Sequence, residues 1–256
     1  MDQIKPLGGA GSEATKIEQA RAVAEVAAAI QVAQSFPRSP EVVREQMRAL
    51  CTSYAVAQEA FYEVPNRGSG MSVHLARELA RIYGNVDYGV RELSRTDGHS
   101  EMQAWAWDQE TNTRNTRSFI QPHAKSLRGG QRKELTDLND IYLSNQNTGA
   151  KAVRECIFAI LPGWLKAEAG KLLGETLQRG EGVPLADRIS EAVQAFGSRS
   201  IAPVQLERHI GRSQASWREE DVATLQRVWA SITRDGMPAT EFFPETPVEL
   251  PQAGAE

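Results

Sequence analysis

The residues of this chain suited to act on a charged ligand gather between positions 105 and 154. Arg114, Arg117, Lys125, Arg128, Arg132 and Lys133 are six bases in a stretch, Arg114 to Lys133, that holds no Asp or Glu. Asn147, Lys151 and Arg154 follow at i, i+4 and i+7, which places all three on one face of a helix. Val153, Ile157 and Ile160 take a different face, suited to a core. Trp105, Trp107, Phe119 and Tyr142 bring aromatic rings to the same region, and alternation puts Trp105 and Trp107 on one side of their strand. Bases at this density can neutralise phosphates. Aromatic faces stack on nucleobases of any sequence, at about 1–3 kcal/mol per base. Together they suggest binding of single-stranded nucleic acid. Singly, each has a plainer reading: a solvated strand and loop, a surface helix, a packed core aromatic.

Catalytic patterns are scarce. Gly170-Lys171 is followed by Leu172, and Leu165 stands where a phosphate-binding loop needs its first glycine, which argues against ATP binding of that type. His74, His99, His123 and His209 lack metal-ligand spacing, and no Gly-x-Ser-x-Gly elbow occurs, so neither a cofactor nor a dedicated metal site is expected. Mg²⁺ would arrive only with DNA. Asp87, Glu101 and Asp108 on strands could hold Mg²⁺ as nuclease carboxylates do. No Glu-x-Lys follows on the second strand, and exposed strand acids are the simpler reading. Cys51 and Cys156 lie far apart inside apolar helical patterns and read as buried thiols of a reducing compartment.

The chain has 256 residues and a formal net charge of −4, which on its face argues against a nucleic-acid partner. The charge is uneven. Residues 67–135 carry 11 bases and 8 acids, whereas residues 181–256 carry 7 bases and 12 acids. A phosphate site needs local potential, and the total says little about it. No apolar run approaches the roughly 18 residues of a membrane span, so no membrane partner is expected. The opening MDQIKPLGGAGSEATK lacks the basic-then-apolar layout of a secretory signal.

The elements that must position these residues follow from periodicity and punctuation. An Ala-rich helix is expected over 15–35, stopped by Pro37; Ser39-Pro40-Glu41 restarts a helix running to about Tyr62. Val64 to Gly70 reads as a loop or hinge, and Ser72 to Tyr83 as a short helix. Val86–Leu93, Glu101–Trp107 and Thr113–Gln121 read as an antiparallel meander. Helices return at 136–143, with Thr136 as the cap, and at 149–164, opened at Gly149 and ended or kinked by Pro162-Gly163, with a linker at 180–184. Three helices then follow, the last begun by a Ser216/Glu219 capping box. The expected division is a disordered lead over 1–14, an α+β core over 15–180, a helical module over 181–236 and an acidic disordered tail over 237–256. The fold class is α+β: a three-stranded antiparallel β-meander packed on helices, with a small helical C-terminal module.

Three stretches then resemble phage RecT/Redβ-type single-strand annealing proteins: Ser72 to Leu93, Glu101 to Trp107 with its hairpin partner, and Asn147 to Gly163. The run Glu191 to Gly236 is similar to the small module that follows the core in many of them, so the likeness spans about 20–236. The order of these pieces is more specific than any one of them. The resemblance implies ATP-independent annealing of complementary single strands with no chemical step, in rings or helical filaments of identical chains. It also implies a partner 5′→3′ exonuclease, a host single-strand binding protein, a phage origin and a cytoplasmic site of action in a bacterial host. Carried over by position, Arg114, Arg117, Lys125, Arg128, Lys133, Asn147, Lys151 and Arg154 would line a DNA groove, with Trp105, Trp107 and Tyr142 stacking bases. The chain departs from the pattern in its modest basicity and its long Ala-rich N-terminal helix. Two other classes stay open: a Mg²⁺-dependent phage nuclease using Asp87, Glu101 and Asp108, and an interaction scaffold docking through Phe242-Phe243-Pro244.

Overall fold

The computed structural model describes residues 12–65, 68–126 and 131–244. Helix α1 (Glu13–Ser35) is capped by the Ser12 hydroxyl, which accepts from the Thr15 amide at 3.3 Å. Helix α2 (Pro40–Cys51) starts as its sequence indicates, with Ser39 accepting from the Val42 amide and proline in the first turn; Val43, Met47 and Cys51 face the core.

The helix expected to reach Tyr62 ends early. The Ser53 carbonyl accepts from the Ala57 amide at 3.0 Å and opens a separate short helix, α3 (Tyr54–Glu59). Strand β1 (Phe61–Val64) follows and pairs antiparallel with β2 (Gly68–Met71), so most of the expected loop is a hairpin. Its glycines have a packing reason. Gly70 is the register partner of Tyr62, and a β-carbon there would lie 2.7 Å from the Tyr62 hydroxyl.

Helix α4 (Val73–Tyr83) is capped by Ser72 and ends at Gly84, whose φ of 76° only glycine adopts without strain. The meander is built as expected, from β3 (Val86–Thr96), β4 (His99–Asp108) and β5 (Thr113–Pro122) in the order β3-β4-β5. Asp97-Gly98 makes the first turn. Asp108 makes the second, its carboxylate accepting from the Glu110 amide at 3.1 Å and the Thr111 hydroxyl at 2.8 Å. The basic segment after β5 forms another hairpin, β6 (Ala124–Ser126) with β7 (Arg132–Glu134).

Helix α5 (Leu138–Ile160) is continuous where two helices were expected. Gly149, expected to open the second, lies inside it and lets α5 approach β3, since a β-carbon there would meet Val90 Cγ2 at 2.9 Å. Asp137, not Thr136, caps its start. Helix α6 (Gly163–Arg179) follows Pro162. The C-terminal module holds α7 (Leu185–Gly197), α8 (Pro203–Ile210), α9 (Glu219–Thr233) and α10 (Ala239–Phe242). Asp221, not the expected Ser216/Glu219 pair, closes the start of α9 by accepting from the Arg218 amide at 2.8 Å.

The main core packs α2, α3, α4, α5 and α6 against one side of the meander, with Leu75, Leu79, Ala104, Ala106, Val153 and Ile157 buried. A second cluster centres on Phe196, Leu206, Trp217, Leu225 and Val228. Helix α9 joins the two. The Glu63 amide donates to the Ser231 hydroxyl at 2.8 Å, and Ala223 on the same helix belongs to the main core.

Met237, Ala239, Phe242 and Phe243, expected within a disordered tail, belong to this second cluster. Phe242 and Phe243 are buried, and Phe243 packs edge-on against Phe196 at 5.5 Å. Burying two phenylalanines stabilises that segment by several kcal/mol at about 25 cal/mol per Å². It also withdraws the docking segment on which the scaffold reading relied. The N-terminal lead is corrected at its inner end, because α1 begins at Glu13. Residues 1–11 and 245–256 lie outside the described residues. Among the described residues, no helix is long and apolar enough to cross a membrane.

Candidate nucleic-acid interface

The meander has a covered side and an open side. Along β4, Ser100, Met102, Ala104, Ala106 and Asp108 are buried, while Glu101, Gln103, Trp105 and Trp107 alternate onto the opposite face. Register extends that open face to Asp87, Gly89 and Arg91 on β3, and to Arg114, Thr116, Ser118 and Ile120 on β5. Among the described residues, the helices that pack on the sheet, α4 and α5, take the covered side.

Trp105 and Trp107 are half-buried on the open face. The Trp105 indole lies across Gly89, its register partner; a β-carbon on Gly89 would sit 2.7 Å from the ring. Its N–H donates to Asp87 Oδ2 at 2.7 Å. The Arg91 guanidinium lies 5.6 Å from the Trp105 ring centre and donates to Gln103 Oε1 at 2.8 Å. The Trp107 N–H donates to Asn112 Oδ1 at 3.1 Å. Arg114, the register partner of Trp107, is exposed and has no acidic partner among the described residues. Both indole N–H groups are thus satisfied within the protein, and what remains to offer is ring surface flanked by two guanidinium groups.

The other expected contacts lie elsewhere. Arg117 pairs with Ala104 in register, so it sits on the α5 side of β5, back to back with Arg114, and is exposed. Asn147, Lys151 and Arg154 share a face of α5, as their spacing requires, and that face points away from the sheet. Asn147 and Lys151 are exposed; Arg154 lies over the Tyr62 ring at 4.5 Å and pairs with Glu155 at 2.8 Å. Lys125 and Lys133 are register partners in the β6–β7 hairpin, and Lys125 reaches Asp140 at 3.8 Å. Tyr142 is exposed near the start of α5. Arg128 lies outside the described residues.

The expected single groove is therefore split between two sides of the sheet layer. Strand alternation already sets Arg114 and Arg117 on opposite faces, but spacing could not show which of the two faces α5 covers. Arg91, Gln103 and Gly89 were missed. The signal for them was present in the alternation of β3 and in a glycine inside a strand, which marks a close approach.

The three candidate nuclease carboxylates do not converge. Asp87 and Glu101 share the open face, but Asp87 pairs with Trp107, six positions along β4 from Glu101, or about 20 Å at 3.4 Å per residue. Asp108 is on the covered side, 2% exposed, and engaged with Arg38. Among the described residues no group of three His, Cys, Asp or Glu side chains is placed to share a metal ion.

Asp108 instead closes a staple at the end of the sheet. Arg38 Nη1 donates to Asp108 Oδ2 at 2.9 Å, Arg38 lies 2.9 Å from Glu110, and its guanidinium stacks on Tyr83 at 3.7 Å. Burial acts to raise the Asp108 pKa, but the hydrogen bonds from Arg38 and Thr111 and the adjacent positive charge outweigh it and hold the carboxyl below the usual aspartate range. Burial pushes the Cys51 thiol up to about 12, with Glu168 adding to the effect, and also raises that of Cys156.

Comparison with protein-family models, with curated proteins and with solved structures finds no significant match to this chain.

Proposed function

We propose that this chain binds single-stranded DNA on the open face of its meander and anneals complementary strands without ATP. The carrying observation is the pair of indoles, Trp105 and Trp107, held flat on an uncovered sheet face with Arg91 and Arg114 beside them. Stacking of this kind is indifferent to base sequence, as annealing of arbitrary complementary strands requires. Annealing is downhill, so the protein has only to concentrate and align strands, and no bond-making group is needed. The likeness to RecT/Redβ-type proteins supports the same reading, and with it a homo-oligomeric assembly, a 5′→3′ exonuclease that supplies the strands, a host single-strand binding protein that competes for them, and a phage origin.

The test is annealing of labelled complementary oligonucleotides at low salt without nucleotide. Two variants separate the two faces: Arg91→Glu with Arg114→Glu on the sheet, and Lys151→Glu with Arg154→Glu on α5. The sheet variant is expected to lose annealing while the helix variant retains it. The salt slope of binding gives an independent reading. Two neutralised phosphates on a single strand give a log–log slope of roughly −1.4, and adding Lys125, Lys133, Lys151 and Arg154 would steepen it to roughly −4. A sheet variant that anneals at the parent rate, or a parent that does not bind single strands at low salt, overturns the proposal.

A further inference from the structure

The open face of the meander is held from behind at one corner. Arg38, in the link between α1 and α2, reaches the end of the sheet from the covered side, and its side chain is 10% exposed. Both of its Nη groups donate to the Asp108 carboxylate, and its backbone N–H donates to Glu110 Oε2 at 3.1 Å. Glu110 Oε2 also accepts from Asn85 Nδ2 at 3.0 Å, and the Gln109 amide donates to the Asn85 carbonyl at 2.9 Å. Asp108 in turn accepts from the Glu110 amide and the Thr111 hydroxyl. Of the residues joining β4 to β5, Gln109, Glu110 and Thr111 are thus all fixed from the covered side.

The remaining one, Asn112, serves the opposite side. Its φ of 54° is a left-handed conformation that asparagine tolerates, and its Oδ1 accepts the Trp107 indole N–H at 3.1 Å. Such a conformation persists where the surroundings over-determine it, and here those surroundings are the Arg38–Asp108–Glu110 cluster. An indole hangs from its strand by one edge and swings about two side-chain torsions. A second point of attachment at its N–H fixes the plane of the ring. Trp105 is held differently, because Asp87 on the neighbouring strand takes its N–H and the turn plays no part.

We infer that Arg38 is a positioning residue for the open face: by clamping the Gln109–Asn112 turn from behind, it sets the orientation in which Trp107 offers its ring. The consequence for DNA rests on the proposed function. The orientation itself does not, so the two are tested apart.

The first test uses no DNA. It follows the five indole N–H signals of the full chain carrying isotope-labelled tryptophan, those of Trp105 and Trp107 being assigned by their loss in Trp105→Phe and Trp107→Phe. Asn112→Gly keeps the left-handed turn and removes the acceptor, so the Trp107 signal should move and its N–H should exchange with solvent roughly fivefold faster. Arg38→Lys keeps a positive charge beside Asp108 but loses the two-pronged contact. Thr111→Ala, at an exposed position, removes one bond to Asp108 without touching Arg38, and serves if Arg38→Lys folds poorly. Both should move the Trp107 signal in the direction set by Asn112→Gly and leave that of Trp105 in place. A Trp107 signal that neither variant moves, or that moves no more than the Trp105 signal, overturns the inference. The second test adds labelled oligothymidylate. Arg38→Lys should weaken binding several-fold in the parent and in Trp105→Ala, and should change nothing in Trp107→Ala, where the ring it positions is gone. Equal weakening in Trp107→Ala also overturns the inference, whereas a parent that binds no single strands overturns the proposed function and leaves the indole signals to decide this one.

Discussion

Replacing Trp105 and Trp107 by alanine removes the ring surface on which the proposed binding rests. Base stacking on an aromatic side chain stabilises a complex by about 1–3 kcal/mol per base. Here the lower half of that range applies, because each indole is half-buried against its own sheet and has only one face to give. A loss of about 1–2 kcal/mol per ring corresponds to roughly 5- to 30-fold weaker binding for each variant, and roughly 30- to 1,000-fold for the double variant if the effects add. Trp105→Ala also frees Asp87, whose carboxylate now accepts the indole N–H, to repel phosphate. Asp87→Asn in the parent isolates that component and should tighten binding modestly. Trp105→Phe keeps a stacking face and should fall between parent and alanine. Anisotropy of a labelled oligothymidylate at low salt measures all of these, with circular dichroism to confirm folding. A folded double variant that binds within twofold of the parent would refute the assignment.

Three further outcomes follow from the structure. Asp108→Asn breaks a buried charge pair but leaves Arg38 beside Glu110, so it should cost about 3 kcal/mol in urea unfolding. Because the folded Asp108 pKa lies below its unfolded value near 3.9, its contribution is complete above that pH and is lost as pH falls through the lower folded value; the variant should show a shallower acid limb of stability. With both thiols buried and their pKa values raised, native protein at pH 8 should give no fast reaction with a thiol-specific chromophore, and denatured protein should give two equivalents. Gly149→Ala should destabilise despite the better helix propensity of alanine, because the added β-carbon forces α5 away from Val90; a rise in melting temperature would show that the contact yields easily.

Much of the fold was legible because local signals agreed with the packing. The alternation of Glu101–Trp107 and the side-chain cap at Ser39 each forecast an element that is present. The failures share a cause: a residue judged by its local habit was serving a distant partner. Gly149 read as the start of a helix and is an interior contact with β3; Gly70 read as loop or hinge and is the floor beneath Tyr62. Phe242 and Phe243 sit in an acidic, proline-bearing stretch that reads as disordered, and only the cluster around Phe196 reveals where they go. The candidate site was legible strand by strand. Its division was not, because which side of the meander α5 covers is a tertiary fact, and that fact decides whether Arg114 and Lys151 can touch one ligand.

The open face also limits what one chain can do. Arg91 and Arg114 are offset there by Asp87 and Glu101, so the face offers guanidinium groups without a strong net potential. Two stacked bases then supply about 2–4 kcal/mol, which reaches at best the 4.1 kcal/mol of a millimolar site. Useful affinity has to come from repetition, since successive faces on one strand bind at the high effective concentration set by their connection. The proposed function therefore predicts a length effect: at low salt the parent should gain affinity steeply as an oligonucleotide lengthens from one site to several. An affinity that stays flat from one site to several would show that successive faces do not act together on one strand, and would leave a single sheet face too weak to hold the strands that annealing requires.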